Sequence, residues 1–252
     1  MAFLAEATPK SVEHPFDITF LMSDASLKDG EGWSTKPAIS FSCGEFFEKT
    51  FDFNQTLTAL PAGTYQFKGQ AFQRPGNTED VYKAFTAGQD NVNVVIYAGD
   101  EEAKIQNIAA EAQTKKLGGS ETAVGSNPTR YVPNNMQAAS FYFAAELYDN
   151  GVVTQLDEDD SKMKVGMRCE EVQAAYWTIF DNFRLYYYGT MSPDQVTSIR
   201  QTVADKAQLD GPFATPADVY SLSGIRVRQQ ATSLDGLPQG IYIVNGYKLI
   251  VR

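Results

Sequence analysis

Apolar and polar residues alternate with a period of two through most of the chain, the spacing of strands whose successive side chains point to opposite faces. PFDITFLMS, residues 15–23, reads as a strand running into the turn-rich stretch DASLKDGEGW. Residues 38–42 and 46–58 give further strand-like runs, with Phe47, Phe51 and Phe53 partly on alternate positions. In LPAGTYQFKGQAF, Pro61 and Gly63 mark a turn, and Tyr65, Phe67 and Gly69 open a period-two strand, so a hairpin is expected there. Residues 91–98, 152–156, 162–168 and 176–188 are the remaining strands of this region, the last of them long and aromatic.

Helical signals are fewer. DEEAKIQNIAAEAQTKKLGG, residues 100–119, reads as a helix or an ordered loop, with acids first, lysines late and a Gly-Gly stop, the charge order that a helix dipole favours. NNMQAASFYFAAELYDNG offers Asn134 or Asn135 as N-cap, an apolar face of Met136, Ala139, Phe143 and Leu147, and Asn150-Gly151 as terminator. In SPDQVTSIRQTVADKAQ, Ser192 caps, Pro193 takes the first helical position and Gln195 completes a capping box. Composition then shifts at LDGPFATPADV, rich in Pro, Gly and Asp. Beyond it, IYIV and YKLIVR flank Asn245-Gly246, the strongest short hairpin signature. These elements divide the chain into a sandwich at residues 15–189, a helical connector at 190–211 and a small antiparallel tail at 212–252.

Composition narrows the classes. The chain has 252 residues, 12% of them aromatic with Phe (16) and Tyr (13) leading, which suits strands and a core that folds without a cage of disulfides. A net charge of -10 repels phosphate backbones and excludes nucleic acid as a partner. No window reaches the roughly 18 apolar residues of a membrane span. The opening MAFLAEATPK lacks the basic and apolar regions of a signal peptide. Cys43 and Cys169 either pair or sit as two small buried hydrophobes.

Several segments resemble secreted proteins of Bacteroidota-type bacteria. LPAGTYQFKGQAFQRPG, RYVPNNMQAASFYF and WTIFDNFRLYYYG resemble successive parts of their galactose-binding-like sandwich, over residues 15 to 189. VYSLSGIRV and LPQGIYIVNGYKLIVR resemble the C-terminal β signals that such bacteria append to exported proteins, some read by a type IX secretion system. The resemblance implies a mainly β protein, a jelly-roll sandwich with one to three short helices and a small C-terminal antiparallel unit. It also implies a secreted or cell-surface location, secretion machinery as a partner of the tail, and a glycan as ligand. Related modules hold a structural calcium between an early acidic loop and an Asp of the last strand. Asp181 matches that last-strand position and Asp24 would supply the early part, although Lys28 stands where an acid is expected. No other cofactor is implied.

Catalysis finds little support in the residues. His14 is the only histidine and has no nucleophile motif beside it. One histidine and two distant cysteines do not make a zinc site. Asp157–Asp160 and Glu170-Glu171 are neighbours in sequence, so their side chains diverge where a glycosidase needs two convergent acids. Sugar binding asks instead for an aromatic ring against the sugar's apolar face and planar polar groups on its hydroxyls. Trp33, Phe72, Gln73, Arg74, Tyr82, Tyr131 and Asn135 are the candidates, on loops or strand ends. Each has a structural alternative: Trp33, Phe72 and Tyr131 as core packing, Arg74 as an ion-pair partner of Asp80, and Trp177 as core. The leading expectation is a non-catalytic exported carbohydrate-binding protein. The alternatives are a structural or adhesin-like protein making protein contacts, and, third, a glycoside hydrolase.

Overall fold

The computed structural model describes residues 9, 11–197, 217–221, 226–234, 237, 240–244 and 247–251. It divides into two compact units, Met1–Pro193 and Asp194–Arg252.

In the first unit the strands run β1 (Phe16–Asp17), β2 (Ala38–Ser40), β3 (Cys43–Phe47), β4 (Phe51–Leu60) and β5 (Gly63–Pro75), then helix α1 (Thr78–Thr86). There follow β6 (Val95–Ala98), β7 (Glu101–Lys104), β8 (Gln106–Asn107), β9 (Glu121–Val124), β10 (Arg130–Pro133), helix α2 (Met136–Ala144), β11 (Asp149–Leu156), β12 (Ser161–Cys169) and β13 (Tyr176–Tyr187). The larger sheet is ordered β11-β5-β13-β3-β2, with β1 beside β13 and β8 beside β5. The smaller is ordered β4-β12-β6-β7.

The two sheets pack face to face as a β-sandwich. Phe51, Phe53 and Leu57 of β4, Val165 and Met167 of β12 and Ile96 of β6 meet Phe46, Tyr65, Phe67, Phe180 and Leu185 of the larger sheet in one buried cluster. Aromatic rings cross the gap, Phe53 to Phe180 at 5.0 Å and Phe46 stacked on Phe51 at 4.2 Å. Consecutive long strands alternate between the sheets: β4 to β5, β11 to β12, and β12 to β13. Their connections are therefore crossovers, as in jelly rolls.

That alternation corrects the hairpin expected at Pro61–Gly63. β4 pairs with β12 and β5 with β11 and β13, so the turn carries the chain from one sheet to the other. Gly63 is required there: at φ +139° a Cβ would stand 2.6 Å from the Gly189 carbonyl oxygen. Of the two forms expected over residues 100–119, a helix or an ordered loop, the helix does not form: edge strands β7 and β8 and a series of turns stand there. Ile105 and Ile108 explain why: three apart, they would share one face of a helix, but here they enter different clusters.

A bulge shapes the central strand β13. Inward side chains are even-numbered up to Phe180 and odd-numbered from Phe183 to Leu185 and Tyr187, because the register shifts between Asp181 and Arg184, with Asn182 at φ +52°. Without that extra residue the last third of the strand would turn its aromatics to the wrong face.

The outer face of the larger sheet carries a second cluster, in which Cys43, Phe72, Trp177 and Ile179 lie under Ala139, Tyr142 and Phe143 of α2. Asn135 caps α2 as the sequence suggests, its side chain accepting from Ala138 N at 2.8 Å. The helix ends at Ala144, earlier than Asn150-Gly151, which instead lie in β11. α1, absent from the sequence reading, begins after Asn77 with Glu79 and Asp80 in its first turn. Cys43 and Cys169 are both free and buried, one in each cluster.

In the second unit, β14 (Ala217–Ser221), β15 (Arg226–Ala231), β16 (Gly240–Val244) and β17 (Tyr247–Val251) form an antiparallel sheet ordered β15-β14-β16-β17. Val219, Ala231, Tyr242 and Val244 make its small core. Val244 pairs with Tyr247, the register of a two-residue connection. The Asn245-Gly246 turn itself, the Ser223-Gly224 turn and the connector beyond residue 197 lie outside the described residues; residues 193–197 are helical.

Candidate binding cleft

Three side chains line up across adjacent strands on the outer face of the larger sheet: Arg74 of β5 is opposite Trp177 of β13, which is opposite Phe47 of β3. The alternation that sends Phe46 inward sends Glu45 and Phe47 outward. This row lies where α2 and its cluster stop covering the sheet, leaving a cleft of about 400 Å³. The β2–β3 turn supplies Ser40 and Phe41, and the entry to α2 supplies Asn134, Asn135, Met136 and Gln137.

The polar groups are positioned but incompletely used. The Trp177 indole N–H donates to Glu45 Oε2 at 2.7 Å, orienting that carboxylate. The Arg74 guanidinium lies over the Trp177 ring at 5.1 Å. Its Nη2 donates to the Ala175 carbonyl at 3.4 Å, while its Nε is buried with no hydrogen-bond partner among the described residues. Burial lowers the Arg74 pKa from its ordinary value, without a neighbouring acid to counter it. The expected pairing with Asp80 does not form: Asp80 sits exposed in the first turn of α1.

Two phenylalanines rim the cleft, Phe41 at 55% and Phe47 at 47% exposure. Phe41 and Ser42 form the two-residue turn between paired Ser40 and Cys43, both with positive φ, at 53° and 59°. That is a type I′ turn, a position that favours Asn-Gly and that costs a bulky residue about 1–2 kcal/mol. The ring is thus exposed on the edge of the cleft, in a conformation that its residue type disfavours.

Among the sequence candidates, the cleft brings together Arg74 and Asn135. Trp33 is corrected: its ring is stacked on Phe53 at 4.1 Å in the inter-sheet core, and its indole N–H donates to the Asp24 carbonyl. Phe72 is fully buried in the second cluster and offers no face to a ligand. Gln73, also fully buried, clamps a loop, accepting from Asn93 N at 2.9 Å and donating to Asn93 Oδ1 at 2.8 Å. Tyr82, on α1, packs half-buried against the second cluster. Tyr131, in β10, lies under the Lys116 ammonium at 5.6 Å, outside the cleft. Phe41, Glu45, Phe47 and Trp177 are the lining residues that the sequence reading did not select. The run FSCGEFF holds more aromatics than one buried face takes, and that excess was the available signal.

The acids proposed for calcium do not fit it. Partial burial opposes the charge on Asp24, but the amides of Lys28 (2.7 Å), Asp29 (3.0 Å) and Gly30 (2.6 Å) outweigh it and hold the carboxyl below its ordinary range. Both oxygens of Asp24 are thus engaged by its own loop. Asp181 accepts from Asn182 N at 2.6 Å, and burial pushes its carboxyl up to about 6. A calcium cage needs six or more converging oxygens. Among the described residues no group of three or more His, Cys, Asp or Glu is placed to hold a metal.

No family model and no curated protein sequence matches this chain. Among solved structures it is similar to the carbohydrate-binding module TmCBM61, solved in complex with β-1,4-galactotriose. The likeness is 15% identity over 57% of this chain and 70% of that one, with a TM-score of 0.27.

Proposed function

We propose that the sandwich is a non-catalytic carbohydrate-binding module that takes a polysaccharide or glycoconjugate in the cleft of Arg74, Trp177, Glu45 and Phe47. The observation that carries this reading is the row itself. A half-buried guanidinium with an unused donor lines the same cleft as an oriented carboxylate and exposed phenylalanine rings, the combination of apolar platform and planar polar groups that a sugar requires. Orphaned buried donors cost free energy until an acceptor arrives, and a sugar hydroxyl supplies one.

Among the described residues Glu45 is the only acid lining the cleft, which supports binding over two-carboxylate hydrolysis. The C-terminal sheet is read as an export or anchoring element, on the resemblance of its segments to sorting signals, and the protein as secreted or cell-surface.

The test is affinity electrophoresis through gels containing galactan, xylan, glucomannan, pectin or mucin. Retardation in at least one gel, reduced in Arg74→Ala and Phe47→Ala with unchanged far-UV circular dichroism, is expected. Migration unaltered by every polymer overturns the reading.

A further inference from the structure

The cleft has a neighbour. On the other side of the Phe41–Ser42 turn lies a hollow of about 570 Å³, and the two share Ser40 and Phe41 as a common wall. We propose that the sugar site continues over this turn into the second hollow, so that the protein recognises an internal stretch of an oligosaccharide and not a single terminal sugar. The inference rests on the glycan reading of the first cleft and extends it.

The second hollow carries its own hydroxyl-binding groups. Lys28 contributes an exposed ammonium that forms no ion pair among the described residues. The Asp181 carboxylate accepts one backbone N–H through Oδ1, leaving Oδ2 without a protein donor among the described residues. Ser26 and Ser42 add hydroxyls at its edge. An ammonium, a carboxylate oxygen and two hydroxyls supply donors and acceptors together, and sugar hydroxyls need both. Each hollow falls within the size range of small-molecule sites, and neither alone encloses a long chain.

Phe41 joins the two. Its ring belongs to both linings and stays more than half exposed, on a turn whose conformation disfavours a bulky residue. A ring in that position presents a platform on which one sugar unit stacks while its neighbours reach down on either side. Strand β13 serves the same arrangement. Asp181 precedes the bulge and keeps the register of Trp177 four residues earlier, so alternation sends both to one face, Trp177 to the first hollow and Asp181 to the second.

The experiment titrates disaccharides through hexasaccharides, cut from each polysaccharide that the wild-type chain retains, into wild type, Lys28→Ala and Arg74→Ala. Wild-type affinity is expected to rise at least ~10-fold from the shortest to the longest ligand. Lys28→Ala should lower hexasaccharide affinity by about 10-fold and leave the disaccharide unchanged; Arg74→Ala should weaken both. Lys28 enters the fold through its backbone amide, which alanine keeps, so Lys28→Ala folds, and circular dichroism checks that it does. Affinity that stops rising at the disaccharide, or hexasaccharide binding unaltered in Lys28→Ala, overturns the second subsite and leaves the first intact. Retention of no polysaccharide by the wild type overturns both readings.

Discussion

The two faces of the larger sheet are built from the same strands and treated differently. The inner face is closed by a whole second sheet, and its phenylalanines are spent on each other. The outer face is closed by a nine-residue helix and loops, which cover only part of it. At the uncovered end, the alternation that would have placed apolar residues against a partner places Arg74, Glu45 and Phe47 around open space, beside the buried Trp177. Complete closure yields a continuous core, and incomplete closure leaves a cleft.

The sharpest way to break that comparison is to truncate one phenylalanine on each face. Phe53→Ala, from the fully buried inner row, is expected to cost about 3–5 kcal/mol in urea unfolding. Phe47→Ala, from the half-exposed outer row, should cost under about 1 kcal/mol while weakening sugar binding. Equal costs would mean that the outer row is core as well.

A smaller effect comes from Asp181. Its folded-state pKa of about 6 lies above the ordinary 3.8, so between those values the folded protein holds a proton that the unfolded chain releases. Stability contributed by this group is therefore full below about pH 4 and is lost as pH rises through about 6. Asp181→Asn should remove that loss, raising stability at pH 7 by about 3 kcal/mol and flattening the profile between pH 4 and pH 6. Calcium gives a second readout: an unchanged melting temperature for wild type with and without the ion is expected, and a rise that Asp181→Asn abolishes would contradict the reading that the two acids do not form a calcium cage.

Smaller again is the turn. Replacing Phe41-Ser42 with Asn-Gly, the residues that its φ values favour, should stabilise the chain by about 1 kcal/mol by thermal unfolding and at the same time weaken binding. A stabilised variant with full affinity would show that the exposed ring is incidental.

Much of this architecture was legible in the sequence. The alternation in residues 176–188, the Asn135 cap and the register around Asn245-Gly246 depend on local chemistry, and each element stands where that chemistry puts it. What was illegible is non-local. Pro61 and Gly63 announce a turn, yet nothing in a turn states whether its strands pair with each other or with opposite sheets. Charges graded along residues 100–119 satisfy a helix, but two cores competing for Ile105 and Ile108 decide otherwise. The cleft was half visible. Arg74 and Asn135 were identifiable from their residue types, whereas Phe41 occupies a turn position that its residue type argues against, and Trp177 is the core residue that its strand alternation indicates while also lining the cleft.

The central claim, that a sugar occupies the row of Arg74, Trp177 and Phe47, is tested most directly by fluorescence. The chain contains 2 tryptophans, and Trp33 is buried in the inter-sheet core, so Trp33→Phe leaves Trp177 as the sole indole, in the wall of the cleft. A retained polysaccharide should shift the Trp177 emission of this variant saturably, and adding Arg74→Ala should abolish the shift. Saturable binding by gel that leaves the Trp177 emission unmoved would place the sugar elsewhere and contradict the assignment.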